Sequence, residues 1–171
     1  MPLSIEASEG LRLPDGRRVV TAHDAAQYLQ VSLGKLTYAL YRAPENQRYR
    51  AFEIPKRSGG GMRQIHSPIG VIREAQTRLA PVLHQLYAAH PSAHGFIHER
   101  SILSNARVHV GQRYVLNIDL EDFFPTVNFG RVRGLFMAAP FRLGPAAASV
   151  FAQLCTHRNG LPQGAPRSAP L

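Results

Sequence analysis

One carboxylate near the middle of the chain has the surroundings that a metal ligand for phosphoryl transfer would need. Asp119 ends the apolar run 114–118 and is followed by Leu120. Phosphoryl transfer with two divalent ions requires carboxylates that hold the ions about 4 Å apart. A strand end suits such a carboxylate, because the sheet fixes it while the next residue offers a backbone carbonyl. We therefore expect Asp119 and the carbonyl of Leu120 to bind metal, with a simple turn or helix cap as the alternative.

Aromatic residues follow this carboxylate. Phe124 lies five residues beyond Asp119, where its ring could close off the sugar of a bound nucleotide. We expect Phe123 to belong to the core and Pro125 to end the strand. Glu121 and Asp122 are expected to be solvated acids of the turn rather than ligands.

A second segment combines alternating residues with a glycine break. Residues 49–54 and 63–66 alternate as strands do, and three glycines at 59–61 separate them, which predicts a hairpin. Lys56 and Arg63 could then lie over a triphosphate from the same side and neutralise its charge. The alternative is an exposed hairpin with ordinary basic residues. It is not a Walker loop, because no Gly-Lys-Ser/Thr follows.

The third segment is Leu-Pro-Gln-Gly-Ala-Pro at 161–166. Its prolines and glycine predict a defined turn, in which Gln163 could hydrogen-bond a nucleotide or its primer. A plain surface loop has the same composition and stays open as an alternative.

Histidines raise the question of a zinc site. No pair has ligand spacing on a predicted helix, and the single cysteine removes the common thiolate sites. We expect structural or surface roles for the histidines considered, which are His84, His90, His94, His98 and His109.

The elements that would position these residues are short strands separated by helices. In the expected strand 114–120, Leu116 and Ile118 share a face that would pack on helices, which leaves Asp119 on the solvent side. Helix N-caps are expected at Thr21, Ser32, Ser101 and Asn128, with Pro145 in the first turn of a last helix. A helix over 72–87 should be kinked or split at Pro81. The prediction is a mixed α/β fold of the α+β kind, with a small antiparallel sheet and helices packed on one face.

Composition bounds the class of protein. The 171 residues suit one domain or one domain and part of a second, and 44% hydrophobic with 18% charged residues fits a soluble globular protein. The only cysteine is Cys155, and neither a membrane span nor a secretory signal is recognisable, so we expect a cytoplasmic location. Twenty Lys and Arg against 11 acids give a net charge of +9, which favours a polyanionic partner, although a merely basic surface is also compatible.

Taken in order, these segments resemble bacterial reverse transcriptases, and most closely the retron type. The resemblance runs from about residue 21 to residue 171. It rests on the run 52–65, Gln76, His94-Gly-Phe96, the run 101–109 with Asn105 and His109, the run 117–125, and the run 161–166.

The resemblance implies an RNA-directed DNA polymerase with a role for each matched position. Asp119 and the carbonyl of Leu120 would bind catalytic Mg²⁺, and Phe124 would disfavour a ribose 2′-hydroxyl. Lys56 and Arg63 would contact the triphosphate, and Gln163 would line the nucleotide pocket. Asn105 and His109 are a family motif without a derived role, and a hydrogen-bonded helix-packing pair is expected there. The implied partners are a structured noncoding RNA as primer and template, deoxynucleotides, and an effector protein in anti-phage defence.

The resemblance also divides the chain. Residues 1–48 would be an N-terminal arm and helical pair, 49–112 a fingers-like region, and 113–171 a partial palm truncated before the Tyr-x-Asp-Asp hairpin and the thumb. No Tyr-x-Asp-Asp occurs in the 171 residues, so the two-metal site would be incomplete and negligible polymerase activity is expected from this chain alone. The alternative is a non-catalytic RNA- or protein-binding remnant. Uncovered apolar surface should also make the isolated chain marginally stable or self-associating.

Overall fold

A computed structural model describes residues 10–56, 60–86, 90–95, 97, 99–120 and 123–162, without the side chains of 84–86. Its helices and strands follow one another in this order: α1 (Ala22–Tyr28), α2 (Leu33–Tyr41), α3 (Glu45–Arg48), β1 (Tyr49–Pro55), β2 (Met62–Pro68), α4 (Gly70–Leu86), α5 (Ile102–Val108), α6 (Phe123–Thr126), α7 (Phe129–Met137) and α8 (Pro145–Cys155). The strands β1 and β2 form a two-stranded antiparallel sheet. The predicted α+β class with a small antiparallel sheet is confirmed.

The centre of the core is α8, which is rich in small residues. Ala147, Ala148 and Ala152 are fully buried, so neighbouring helices can approach its backbone closely. Phe151 of the same helix is also fully buried and lies 5.5 Å from Phe136 of α7, between ring centroids. Burying one such phenylalanine contributes roughly 1.5–3 kcal/mol, so the α7–α8 contact is a main source of stability.

The helix starts that local chemistry predicts are present. Thr21 and Asp24 form a capping box at α1, because the Thr21 side chain accepts from the Asp24 backbone and Asp24 accepts from the Thr21 backbone. Ser32, Ser101 and Asn128 accept capping hydrogen bonds at their helices. Pro145 lies in the first turn of α8, as predicted. Pro81 does not split α4, which runs through it as one element.

The turn signal Pro-Asp-Gly-Arg at 14–17 predicts a loosely held arm over residues 1 to about 20, but the arm is part of the core from residue 10 onward. Leu11, Leu13 and Val19 are buried. The backbone N–H of Leu11 donates to the carbonyl of Phe141 at 2.9 Å, which ties the arm to the chain between α7 and α8. The apolar residues of the arm cover this part of the core, and that contact outweighs the local turn signal.

The predicted strand over 114–120 is wrong. These residues form no strand, and their side chains are exposed on both faces, with Leu116 at 82% and Ile118 at 79% exposure. A strand needs a neighbour for its backbone hydrogen bonds, and in the sheet that the described residues form, β1 pairs with β2 and not with residues 114–120. The core position predicted for Phe123 is also wrong, since this residue begins the short helix α6 and is 48% exposed.

No helix within the described ranges is both long enough and apolar enough to cross a membrane.

Candidate functional site

The basic residues of the hairpin lie near its tip. Arg63 is opposite Ile54 in the β1–β2 register, and the backbone N–H of Lys56 donates to the carbonyl of Gly61 at 3.0 Å. Gly61 has a φ of 94°, a conformation that glycine adopts without strain. Side chains two residues apart on a strand share a face, so Lys56 and Arg63 belong to the same face of the hairpin. Both residues are exposed, so the hairpin offers two cations to a ligand.

Asp119 and Leu120 are open to solvent. Asp119 is exposed, and Leu120 is 66% exposed in the same segment. A carboxylate and a backbone carbonyl are hard oxygen donors, which suit Mg²⁺. These two groups alone are fewer than the six oxygen ligands that each Mg²⁺ takes, so water, phosphate or other residues would have to complete the shell. Glu121 and Asp122 lie outside the described residues.

Phe124 is held against the segment that leads to Gln163. The backbone N–H of Leu161 donates to the carbonyl of Phe124 at 3.1 Å, and the N–H of Val127 donates to the same carbonyl at 3.2 Å. Phe124 is 39% exposed, so it can contact a ligand. The structure therefore brings Phe124 next to residues 161–162. Gln163 itself lies outside the described residues.

A tight turn at residues 157–160 brings Leu161 close to Phe124. His157 and Gly160 form an isolated antiparallel bridge with hydrogen bonds of 2.8 and 3.0 Å. Between them, Arg158 and Asn159 have φ values of 50° and 63°, the left-handed pattern of a two-residue type I′ turn. A Cβ at Gly160 would lie 3.0 Å from Cα of Pro125, so a glycine allows the turn to pack on the end of α6.

The family motif at α5 does not pack as expected. Asn105 and His109 are both exposed, and α5 has no buried residue. The helix-packing role predicted for this pair is therefore wrong. Among the histidines singled out from the sequence, His94 shares a 2.9 Å hydrogen bond with Ser104 and His90 is exposed, whereas the side chain of His84 and the whole of His98 are outside the described part of the chain.

A cluster that the sequence did not reveal lies beside the turn. One ligand atom each of Glu45, His66 and His157 lies within 4.8 Å of the others. Nε2 of His157 is 3.1 Å from Oε1 of Glu45, and the His157 ring stacks on Tyr49 at 4.1 Å between centroids. Glu45 also pairs with Arg158 at 3.0 Å. These residues come from α3, β2 and the turn after α8, so no sequence spacing could indicate the cluster.

The electrostatics of this cluster follow from burial and pairing. Burial is the main cause that lowers the pKa of His157, and the nearby His66 ring lowers it further. The hydrogen bond from Arg158 is the main cause that lowers the pKa of Glu45. At neutral pH the cluster therefore holds a neutral imidazole at position 157 and a charged carboxylate at position 45.

Comparison with known proteins identifies the family. The chain is 42% identical to the retron Mx65 reverse transcriptase of Myxococcus xanthus over 144 residues, which is 83% of this chain and 33% of that protein. It is 33% identical to the retron Ec86 reverse transcriptase of Escherichia coli over 150 residues, covering 87% and 46%. The retron Mx162 reverse transcriptase of Myxococcus xanthus is 35% identical over 166 residues, covering 86% and 34%. No family model matches the chain.

The chain belongs to the retron-type reverse transcriptases, as the resemblance predicted. It spans 33–46% of the length of these three relatives.

Proposed function

We propose that this chain carries the nucleotide-facing part of a retron-type reverse transcriptase, an RNA-directed DNA polymerase. The observation that carries the proposal is its 42% identity to a retron reverse transcriptase across 83% of the chain. The net charge of +9 supports a nucleic-acid partner, because neutralising phosphates releases counterions. The proposed partners are deoxynucleotides and a structured noncoding RNA that serves as primer and template, with an effector protein in anti-phage defence.

The proposed roles follow the positions of the exposed groups. Asp119 and the carbonyl of Leu120 would hold Mg²⁺, which when bound stabilises charge on the transferred phosphoryl group. Lys56 and Arg63 would bind the triphosphate from the hairpin, where both are exposed. Each group therefore reaches solvent, as contact with a nucleotide requires.

The sugar and base of the bound nucleotide would contact Phe124 and Gln163. The exposed edge of Phe124 would exclude a 2′-hydroxyl, and Gln163 would line the pocket. The hydrogen bond that the backbone N–H of Leu161 donates to the carbonyl of Phe124 supports this pairing of roles, because Gln163 follows Leu161 by two positions in the sequence. Asn105 and His109, being exposed, are free to contact a partner rather than the core.

The proposed division keeps three parts: an arm and helical pair at 1–48, a fingers-like region at 49–112, and a partial palm at 113–171. The first part contacts the third, because the backbone N–H of Leu11 donates to the carbonyl of Phe141 and the N–H of Gly144 donates to the carbonyl of Val19. Asp119 is the one carboxylate assigned to the metals, and two metal ions need more than one carboxylate ligand. We therefore expect the 171-residue chain to be inactive by itself.

A chimera tests the proposal. The 171 residues would replace the matched segment of the Myxococcus relative that is 42% identical, and extension of an RNA-primed, RNA-templated substrate with deoxynucleotides and Mg²⁺ would be measured. We expect incorporation by the chimera and none by the 171-residue chain alone. A chimera that folds with the thermal stability of the relative but incorporates nothing would contradict the proposal.

The same result would favour the second candidate, a non-catalytic RNA-binding remnant. The open position of Asp119, with few oxygen ligands assigned beside it, is the observation that keeps this candidate. Both candidates predict RNA binding by the 171-residue chain that weakens as salt rises. Absence of RNA binding even at low salt would therefore count against both candidates, whereas nucleotide incorporation by the chimera separates them.

A further inference from the structure

We propose that Glu45, His66 and His157 form a binding site for a first-row divalent transition metal, with zinc as the ion that fits best. The three ligand atoms lie within 4.8 Å of one another and come from three separate elements. Two imidazoles and one carboxylate are a ligand set that zinc takes in proteins, with a fourth position left for water. Mg²⁺ prefers oxygen ligands, so this site would be chemically distinct from that proposed at Asp119.

The His66 ring has a nitrogen available for a metal. Its Nε2 is 3.3 Å from Oε1 of Gln64, and because that oxygen can only accept, Nε2 carries the proton in the neutral ring. Nδ1 is then left with a lone pair, and it is buried without a hydrogen-bond partner among the described residues. A buried nitrogen without a partner is costly, and a metal ion would satisfy it. The Gln64 contact would fix the tautomer, as the outer hydrogen bond of a metal-bound histidine does.

The second ring is also held in place. The side chain of His157 is only 6% exposed, and its ring packs against those of Tyr49 and His66, at centroid distances of 4.1 and 4.8 Å. Its Nε2 points to the Glu45 carboxylate, 3.1 Å away. Packing against two rings limits rotation of the His157 ring, so His157 would lose little freedom on binding a metal.

Glu45 supplies the adjustable ligand. Its side chain is 43% exposed, whereas the two imidazoles are buried. Tetrahedral zinc with bonds of about 2.1 Å needs ligand atoms roughly 3.4 Å apart, so the carboxylate would move to close the triangle. The Glu45 carboxylate would also give up its ion pair with Arg158 for the metal. The Arg158 side chain is 61% exposed and can turn into solvent.

The site would join parts of the chain that carry the proposed function. Glu45 begins α3, His66 is in β2 of the basic hairpin, and His157 starts the turn that ends at Gly160. A metal bound here would therefore fasten the hairpin to the turn whose next residue, Leu161, contacts Phe124. Its expected effect is to stabilise this arrangement rather than to perform phosphoryl transfer.

Zinc titration of the chelator-treated 171-residue chain tests the proposal. Equilibrium dialysis should show one saturable equivalent of Zn²⁺ that excess Mg²⁺ does not displace. At a free zinc concentration about 100 times its Kd, Tm should rise by roughly 5–10 °C. Co²⁺ in place of zinc should give the visible absorption of a tetrahedral nitrogen and oxygen site. None of these readouts depends on polymerase activity.

Three variants test whether zinc binds at Glu45 and His157. Glu45→Gln and His157→Ala should each lose the Tm shift, whereas His23→Ala, which removes an exposed histidine, should keep it. Glu45→Gln can retain a hydrogen bond to His157, so it keeps the test valid if His157→Ala fails to fold. The proposal is overturned if no saturable equivalent binds, or if the Tm shift in Glu45→Gln equals that in His23→Ala, which would indicate binding by scattered surface histidines.

Discussion

The backbone N–H of Leu161 donates a 3.1 Å hydrogen bond to the carbonyl of Phe124. Thirty-seven positions separate the two residues in the sequence, and helices α7 and α8 lie between them. After passing through α7 and α8, the chain therefore comes back into contact with the start of α6. Because Gly160 is the residue that packs on Pro125 at this point, the contact can be perturbed by a single methyl group.

We predict that Gly160→Ala destabilises the fold by about 1–3 kcal/mol. The new Cβ would lie 3.0 Å from Cα and 3.1 Å from the carbonyl oxygen of Pro125, and backbone atoms cannot yield as a flexible side chain does. Gly134→Ala is the matched control, because Gly134 is helical with no atom within 4 Å of its added Cβ. This control should gain about 0.5–1 kcal/mol from helix propensity. Urea unfolding of both variants measures the difference, and equal stabilities would contradict the close approach.

The capping box at α1 predicts a loss of stability in acid. The backbone and side chain of Thr21 hydrogen-bond the Asp24 carboxylate, both at 2.8 Å, and these bonds are the leading causes that lower the pKa of Asp24 below 3.8. A carboxyl with a lowered pKa in the fold stabilises it above the unfolded pKa, and this contribution is lost as pH falls through the folded pKa. Stability from Asp24 should therefore be complete above about pH 5 and decline below pH 4.

Asp24→Asn tests this assignment. The substitution should cost about 0.5–2 kcal/mol at pH 7, the usual range for a weakened cap, and the difference from the parent should shrink toward pH 3. Glu53→Gln, at an exposed strand position, should change stability little at either pH. A difference between Asp24→Asn and the parent that stays constant with pH would refute the role of the charge.

The exposed apolar run from α5 to α6 predicts self-association. Ile102, Val110 and Leu116 are 88%, 76% and 82% exposed, and they belong to a stretch with many exposed apolar neighbours. Exposed apolar side chains of this kind are removed from water when two copies meet. Sedimentation velocity should show a concentration-dependent increase in mass for the 171-residue chain.

Acidic side chains introduced among these exposed apolar residues should reduce self-association. A Leu116→Glu, Ile118→Glu double variant should move the chain toward monomer, whereas Leu135→Glu, at an exposed position of α7 outside the stretch, should not. A parent chain that remains monomeric at all concentrations and melts in one sharp transition would contradict this prediction.

Local chemistry was sufficient to predict some elements from the sequence, and distant contacts decided the others. Thr21 and Asp24 are three residues apart, so their capping box could be recognised directly. The hairpin followed from alternation around the glycines at 59–61. The alternation over 114–120 is just as regular, but a strand also needs a partner, and pairing is not a local property.

Long-range contacts explain what the sequence did not reveal. Leu11 belongs to the core because its backbone meets Phe141, 130 positions away. The Glu45, His66 and His157 cluster could not be predicted for the same reason, since its three residues are far apart in the sequence. The proposed metal and nucleotide residues at 56, 63, 119, 120, 124 and 163 came from the family resemblance and from their neighbours, and their roles stay predictions.

The most direct test of the account is deoxynucleotide incorporation by the chimera with Asp119→Asn. Removing the metal-binding charge should lower the single-turnover rate roughly 10²- to 10³-fold or more, while RNA binding and Tm stay near those of the parent, because Asp119 is exposed. Glu53→Gln in the same chimera should leave the rate unchanged. Incorporation by the Asp119→Asn chimera at the parent rate would contradict the assignment of Asp119 as the catalytic metal ligand.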